Sequence, residues 1–247
     1  MKMQQYLDST YLKTATQAGL TQAENQTIAE GFVLEAIEEG FKLIMIRPDM
    51  VSVARKLIDT ATSNVLVGTV IDFPEGTASI EQKISEAKKA IEDGADELDF
   101  VCNYQAFKNG NNTLVKEEIL QGTQFAFANH KVVKWIIEVA ALNPHQIVQL
   151  TALIKNVILT NFKEDCYANV FLKSSTGFYK TENGAPNGAT VPTITWMLEN
   201  ATPLPVKAAG GVRNYEEALK MIQLGVKRIG TSAAKAIIQG QTSNENY

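Results

Sequence analysis

The chain has 247 residues, 45% hydrophobic and 20% charged, a composition ordinary for a globular protein and long enough for one large domain. Its formal net charge is −4 and it contains no lysine or arginine block, which argues against a nucleic-acid or membrane-surface binder. The opening MKMQQYLDST lacks an apolar signal-type stretch and nothing approaches the ~20 apolar residues of a bilayer span, so a cytoplasmic protein is expected.

In chain order, short β-type runs recur. QYLDST (5–10) is a candidate first strand, followed by LIMI (43–46), VLVGTVI (65–71), ELDFV (97–101), VVKWIIEV (132–139), NVFLK (169–173), LPVKAA (204–209) and RIGTS (228–232). Most are continuously apolar, the pattern of parallel strands buried on both faces. Helical segments lie between them. Thr21 with Glu24 and Ser79 with Gln82 read as capping boxes. The Ser79 helix places Ile80, Ile84, Ala87 and Ile91 on one stripe and stops at Gly94. Asn143-Pro144 opens another, with Ile147, Leu150, Ile154, Val157 and Ile158 facing inward. Asn214 with Glu217 opens a third, ending at Gly225. Strand then helix, seven or eight times, predicts a single α/β domain over residues 1–247: a (β/α)8 TIM barrel of parallel strands, with a doubly wound open sheet as the alternative. The polar tail 239–247 is expected to be mobile.

In such a barrel the C-terminal strand ends line the active site and the N-terminal ends serve stability. By that rule Lys134 and Arg228 belong to the stability face, whereas Asp8, Asp72, Asp99, Glu138, Lys173 and Lys207 should converge at one mouth. Met45, Arg47, Ser174 and Tyr247 are further candidates for the pocket, although for Tyr247 a disordered end is preferred to a terminal aromatic folding over it. Each acid also has a structural reading: a cap for Asp8, a loop residue for Asp72, a lysine partner for Glu138, a buried salt bridge for Asp99.

The two lysines are harder to explain structurally. Neighbouring strands lie ~4.8 Å apart, so Lys173 and Lys207, on consecutive strands, should bring their ammonium groups close together. Two charges ~4 Å apart at an effective dielectric of ~20 repel by roughly 4 kcal/mol, enough to bring one lysine from ~10.4 to about 7–8. A lysine so placed is a nucleophile for a carbonyl carbon. Lys173 is the candidate amine, Lys207 the perturbing cation and Asp99 a group that accepts or shuttles protons. Beyond Lys207, Gly210-Gly211 follows the seventh strand and Gly230-Thr231-Ser232 the eighth, the usual place for a phosphate in a barrel; Gly177, in the turn after Lys173, is counted with them. The substrate should carry a carbonyl and a phosphate.

Cys102, Cys166, His130 and His145 stand apart, with no C-x-x-C or H-x-x-x-H spacing. Neither a metal nor another cofactor is expected, and free thiols in a reducing compartment are the simpler reading than a disulfide.

Taken together, LDSTYL, GADELDFV, FLKSSTGF followed by NGAT, VKAAGGVRN and RIGTSAA resemble deoxyribose-phosphate aldolase, a class I aldolase family of barrel fold, along nearly the whole chain. The resemblance implies Lys173 as the Schiff-base lysine, Lys207 as the second lysine and Asp99 in proton relay, without a metal. The implied reaction is reversible cleavage of 2-deoxy-D-ribose 5-phosphate to acetaldehyde and D-glyceraldehyde 3-phosphate, so the implied partners are small phosphorylated sugars and aldehydes. Dimerisation follows by resemblance only. The chain departs from the family pattern at Ser174, where Thr is usual, at Ser9, where His is frequent, and at Ala233, where a second serine is common. Arg47 and Asp72 are charged where the family is not, and are candidates to pair with each other. The alternatives are another Schiff-base aldolase, a phosphosugar isomerase and a non-catalytic phosphosugar-binding barrel.

Overall fold

The computed structural model describes residues 2–242, so Tyr247 and the end of the polar tail lie outside the described residues. Eight parallel strands, β1 (Leu7–Tyr11), β2 (Leu43–Ile46), β3 (Leu66–Ile71), β4 (Glu97–Val101), β5 (Val132–Ile136), β6 (Val170–Lys173), β7 (Val206–Ala209) and β8 (Arg228–Thr231), pair in sequence order. The order closes because β1 also pairs with β8, Asp8 lying opposite Gly230. The fold is therefore a (β/α)8 barrel, and the open sheet is excluded.

Helices α1 (Ala15–Ala18), α2 (Gln22–Glu39), α3 (Val51–Thr60), α4 (Ile80–Glu92) and α5 (Tyr104–Lys108) accompany the first half. The second half carries α6 (Asn112–Ala128), α7 (Pro144–Asn161), α8 (Val191–Ala201), α9 (Tyr215–Leu224) and α10 (Ala234–Ile238). None of the described helices is long and apolar enough to cross a membrane.

Their starts are local chemistry. The boxes at Thr21/Glu24 and Ser79/Gln82 form, and Asn143 with Gln146 adds a third, each satisfying orphan amides of the first turn. All five apolar residues expected inward on α7 are buried. The α4 stripe is rotated: Lys83, Ala87 and Ala90 are its buried face, while Ile80, Ile84 and Ile91 are half-buried. Lys83 goes in because Glu118, 2.6 Å away, neutralises it, and the carbonyls of Val101 and Gly76 accept its remaining protons at 2.7 and 3.0 Å.

Alternation along the strands divides the molecule into two interiors. Outward residues such as Leu98, Phe100 and Trp135 join the large core between barrel and helices, where the Phe100 and Trp135 rings lie 5.1 Å apart. The barrel lumen is itself split. Toward β1–β3 it is apolar, with Leu12, Leu43, Met45 and Val70 backed by Phe73 and Phe178. The rest is ionic. Register places Asp99 opposite Lys134 and Lys173 opposite Lys207. Lumens of this fold are usually packed with branched aliphatic residues, so the ionic half calls for a functional explanation.

Candidate active site

Six buried residues form a closed loop of ion pairs. Asp99 Oδ1 meets Lys134 Nζ at 2.5 Å, and Lys134 meets Glu97 Oε2 at 2.6 Å. Arg228 joins Glu97 at 3.1 Å to Asp8 at 2.5 Å. Lys207 closes the loop, 2.5 Å from Asp8 Oδ2 and 3.0 Å from Asp99 Oδ2. Three carboxylates balance three cations, and each charge is met from two sides. That is the condition under which buried ions are tolerated, since unpaired ions cost several kcal/mol each on leaving water.

Lys173 stands outside this balance. Its Nζ lies 3.0 Å from Asp99 Oδ2, the atom Lys207 already uses, and the side chain is 3% exposed. A fourth cation here has no carboxylate of its own. Burial, with repulsion from Lys207 and Lys134, outweighs the attraction of Asp99 and lowers Lys173 from its usual 10.5 to about 8. The low value predicted from sequence is therefore reached, but burial is its largest cause and the neighbouring lysine a smaller one.

Asp99 is governed by the opposite balance. Burial pushes its carboxyl up, yet Lys134, Lys173 and Lys207 together hold it well below the usual carboxylate range. Asp8 and Glu97 are likewise held low by their cations against burial. The site therefore keeps a resident anion beside a poised amine. That combination suits formation and stabilisation of a cationic imine.

Lys134 and Arg228, assigned from sequence to the stability face, belong to this network instead. Arg228 is the first residue of β8, and its long side chain reaches across the lumen. Glu97 was not foreseen at all. A signal was present, because in ELDF the charged residues Glu97 and Asp99 fall two apart and so share one face of the strand.

The other predicted residues scatter. Asp72 has a left-handed backbone (φ 53°), and its carboxylate accepts the Ala78 amide and pairs with Lys83 at 3.3 Å, on the helix layer. It does not pair with Arg47. Arg47 Nε donates to the Leu12 carbonyl at 2.8 Å, and its guanidinium lies over the Phe73 ring, 5.3 Å from the centroid. Burial lowers Arg47 from its ordinary value, against the pull of Asp49 and Glu86. Met45 is part of the apolar wall. Ser174 turns away from the lumen, donating to the Ala209 carbonyl and accepting the Ala209 amide, each at 2.9 Å. Glu138 lies two residues beyond β5, beside the Lys173 turn, and is 1% exposed.

The glycines surround the mouth with different duties. Gly177, Gly210 and Gly211 all have positive φ (82°, 79° and 84°), which L side chains rarely adopt. Gly210 packs against Gly188 and Gly177. Gly230 makes room for Lys207: a Cβ there would sit 3.1 Å from Lys207 Cε. Thr231 spends its hydroxyl inside the protein, donating to Val212 O at 2.7 Å and accepting the Ala233 amide. Ser232 is half-exposed at the turn that follows β8. Among the described residues, no group of three or more His, Cys, Asp or Glu could hold a metal ion. A depression of about 850 Å³ between α6 and α7 shares no residue with the ionic network.

Comparison with known proteins gives the family. Residues 13–242 match the model of the DeoC/LacD family aldolases. Deoxyribose-phosphate aldolase of Thermococcus gammatolerans is 38% identical over 212 residues, 85% of this chain and 87% of that one. The same enzyme of Streptococcus pneumoniae is 34% identical across the full length of both. The solved tetrameric deoxyribose phosphate aldolase of Aeropyrum pernix covers 96% of this chain and 89% of its own at 26% identity, with a TM-score of 0.77. The chain thus belongs to the DeoC/LacD family of aldolases, carbon–carbon lyases; Lys173 and every ring residue except Asp8 lie inside the region that matches the family model.

Proposed function

We propose that the protein cleaves 2-deoxy-D-ribose 5-phosphate reversibly to acetaldehyde and D-glyceraldehyde 3-phosphate through an imine on Lys173. One observation carries the reading: among the described residues, Lys173 is the single cation in contact with a lumen network that is already neutral without it. In this scheme neutral Lys173 attacks C1 of the open-chain aldehyde, and loss of water gives a protonated imine. The imine is the electron sink for breaking the C2–C3 bond while the C3 hydroxyl proton leaves. Asp99 is held ionised, so its part is to stabilise the imine cation; the proton leaves through solvent water with Lys207, which lies 3.0 Å from Asp99. The remaining enamine is protonated at C2 and hydrolysed, which releases acetaldehyde and free Lys173.

The phosphate belongs on the side of Gly177, Gly210, Gly211 and Ser232, where the amides of Gly177, Gly211 and Ser232 have no acceptor among the described residues. Held there, it supplies binding energy remote from the reacting carbons. Gly230 and Thr231 support this loop pair from within rather than touching the anion. The tetrameric Aeropyrum pernix relative supports self-association of this chain, for which a homodimer is the form proposed, and a cytoplasmic setting is part of the same proposal.

Borohydride trapping with acetaldehyde, followed by peptide mass spectrometry, tests the reading. A reduced adduct on Lys173 is expected, and Lys173→Leu should leave less than about a hundredth of wild-type cleavage. An adduct on Lys207 instead would reverse the two lysine roles. Folded protein that binds the sugar phosphate and gives no adduct would make this a non-catalytic barrel.

A further inference from the structure

Glu138 occupies a conformation that needs a reason. Two residues beyond β5 its backbone is left-handed (φ 53°, ψ 69°), a region glycine enters freely and other residues enter at a cost of about 1–3 kcal/mol. The neighbouring amides fix it against the reactive turn: Ile137 N–H donates to Lys173 O at 3.0 Å and Val139 N–H to Ser174 O at 2.9 Å. The kink drives the side chain into the protein, where it reaches Thr176. Oε2 accepts the Thr176 amide at 3.1 Å and also accepts the Thr176 hydroxyl. Oε1 is buried without a partner, as is Ser175 Oγ in the same turn.

The contacts continue beyond Thr176. Its Oγ1 accepts the Phe178 amide at 3.0 Å, which closes the turn around Gly177. Asn187 Nδ2 holds the Gly177 carbonyl at 2.9 Å, and Gly177 Cα packs against Gly210. One carboxylate thus anchors the segment linking Lys173 to the glycine cradle.

We propose that Glu138 is a positioning residue, its charged carboxylate holding the 174–178 turn so that affinity for the substrate phosphate depends on its ionisation. The inference rests on the phosphate site proposed above and adds its control. Among charged and titratable groups, Lys173 of β6 and Tyr104 of α5 face Glu138, with the Thr176 and Ala140 amides completing its surroundings. Burial pushes the carboxyl up to about 7, and the Thr176 hydrogen bonds, the nearby Ala140 amide and Lys173 restrain it from going higher. Above that value Oε2 carries charge and both Thr176 bonds are charge-assisted; below it they weaken.

The test uses 2-deoxyribitol 5-phosphate, which has the phosphate but no carbonyl, so that its binding is separate from imine chemistry. Titration calorimetry compares wild type with Glu138→Gln. The expected ratio of Kd values is roughly tenfold at about pH 8, one charge-assisted hydrogen bond, narrowing to within about twofold at about pH 6, where wild-type Glu138 is itself neutral. The second ionisation of the phosphate, near 6, is common to both proteins and cancels in the ratio. Thr176→Val should reproduce the Gln variant and Thr176→Ser should restore wild-type affinity. That pair decides alone if Glu138→Gln does not fold. A ratio near one at the higher pH, or an equal loss at both, overturns the positioning role. Wild-type protein that neither binds this ligand nor traps acetaldehyde on Lys173 removes the functional reading and the inference with it; trapping and binding with a flat ratio removes only the inference.

Discussion

Replacing Lys207 with methionine should move the titration of Lys173, by an amount the geometry sets. The two ammonium nitrogens each lie 3.0 Å from the same oxygen, Asp99 Oδ2, so they are no more than about 6 Å apart. At about 5 Å and an effective dielectric of about 20 their repulsion is roughly 3 kcal/mol. At about 1.4 kcal/mol per pH unit, its removal raises the Lys173 midpoint from about 8 by about two pH units, to about 10. Loss of Lys207 also leaves Asp8 and Asp99 with less compensation, which acts in the same direction. At pH 7 the neutral fraction of Lys173 then falls from about one tenth to about one thousandth, so imine formation slows roughly a hundredfold. The assay is the rate of borohydride-trapped acetaldehyde adduct on Lys173 as a function of pH. It reads the amine directly, so any part Lys207 takes in later proton transfer does not disturb it. Wild type should gain rate as pH rises through about 8, because the neutral amine appears there. A midpoint in Lys207→Met within half a pH unit of the wild-type value would refute the electrostatic argument.

Other perturbations separate the parts of the site. In Gly188→Ala the new Cβ would lie 2.5 Å from the Gly210 carbonyl oxygen, a backbone contact that must shift; sugar-phosphate KM should rise tenfold or more, while trapping with unphosphorylated acetaldehyde stays as in wild type, and equal losses in both would disprove a specific effect on the cradle. Lys83→Met strands the buried Glu118 carboxylate and should cost about 3–5 kcal/mol, lowering Tm by roughly 10 °C, whereas a change under about 2 °C by calorimetry would contradict the ion-pair reading. Acid should dismantle the ring. Asp8, Glu97 and Asp99 are held below their ordinary values, so their contribution is complete above the unfolded-chain values near 4 and is lost as pH falls through the lower folded ones. Denaturant titrations from about pH 5 to about pH 3 should therefore show falling stability with proton uptake on unfolding, and a flat profile would count against the network.

Much of this was legible in the chain because barrel elements are locally encoded. Continuous apolar runs marked most of the strands, and LIMI and ELDFV have the expected limits without adjustment. Where limits moved, a local event moved them: VVKWIIEV stops pairing at Ile136 because Glu138 turns left-handed. Lys173, Lys207 and Asp99 were identifiable because charged residues near the C-terminal ends of buried strands are rare and costly. The rule was too coarse for Lys134 and Arg228. It sorts residues by position along a strand, but long side chains cross several ångströms of lumen and meet partners at other heights.

By itself, then, the sequence determined the alternation of strand and helix, the helix starts at Thr21, Ser79 and Asn143, and the presence of two lysines on consecutive strands. Only the tertiary structure decided which charges cancel. Arg228 meets Asp8 across 220 positions of chain and Lys207 meets Asp99 across 108. Nothing local in either segment specifies those pairs, because closure of the barrel, not proximity in sequence, brings β8 against β1. Whether a buried lysine is a structural cation or a nucleophile depends on the sum of the charges around it. That sum exists only once the ring has closed and left Lys173 outside it.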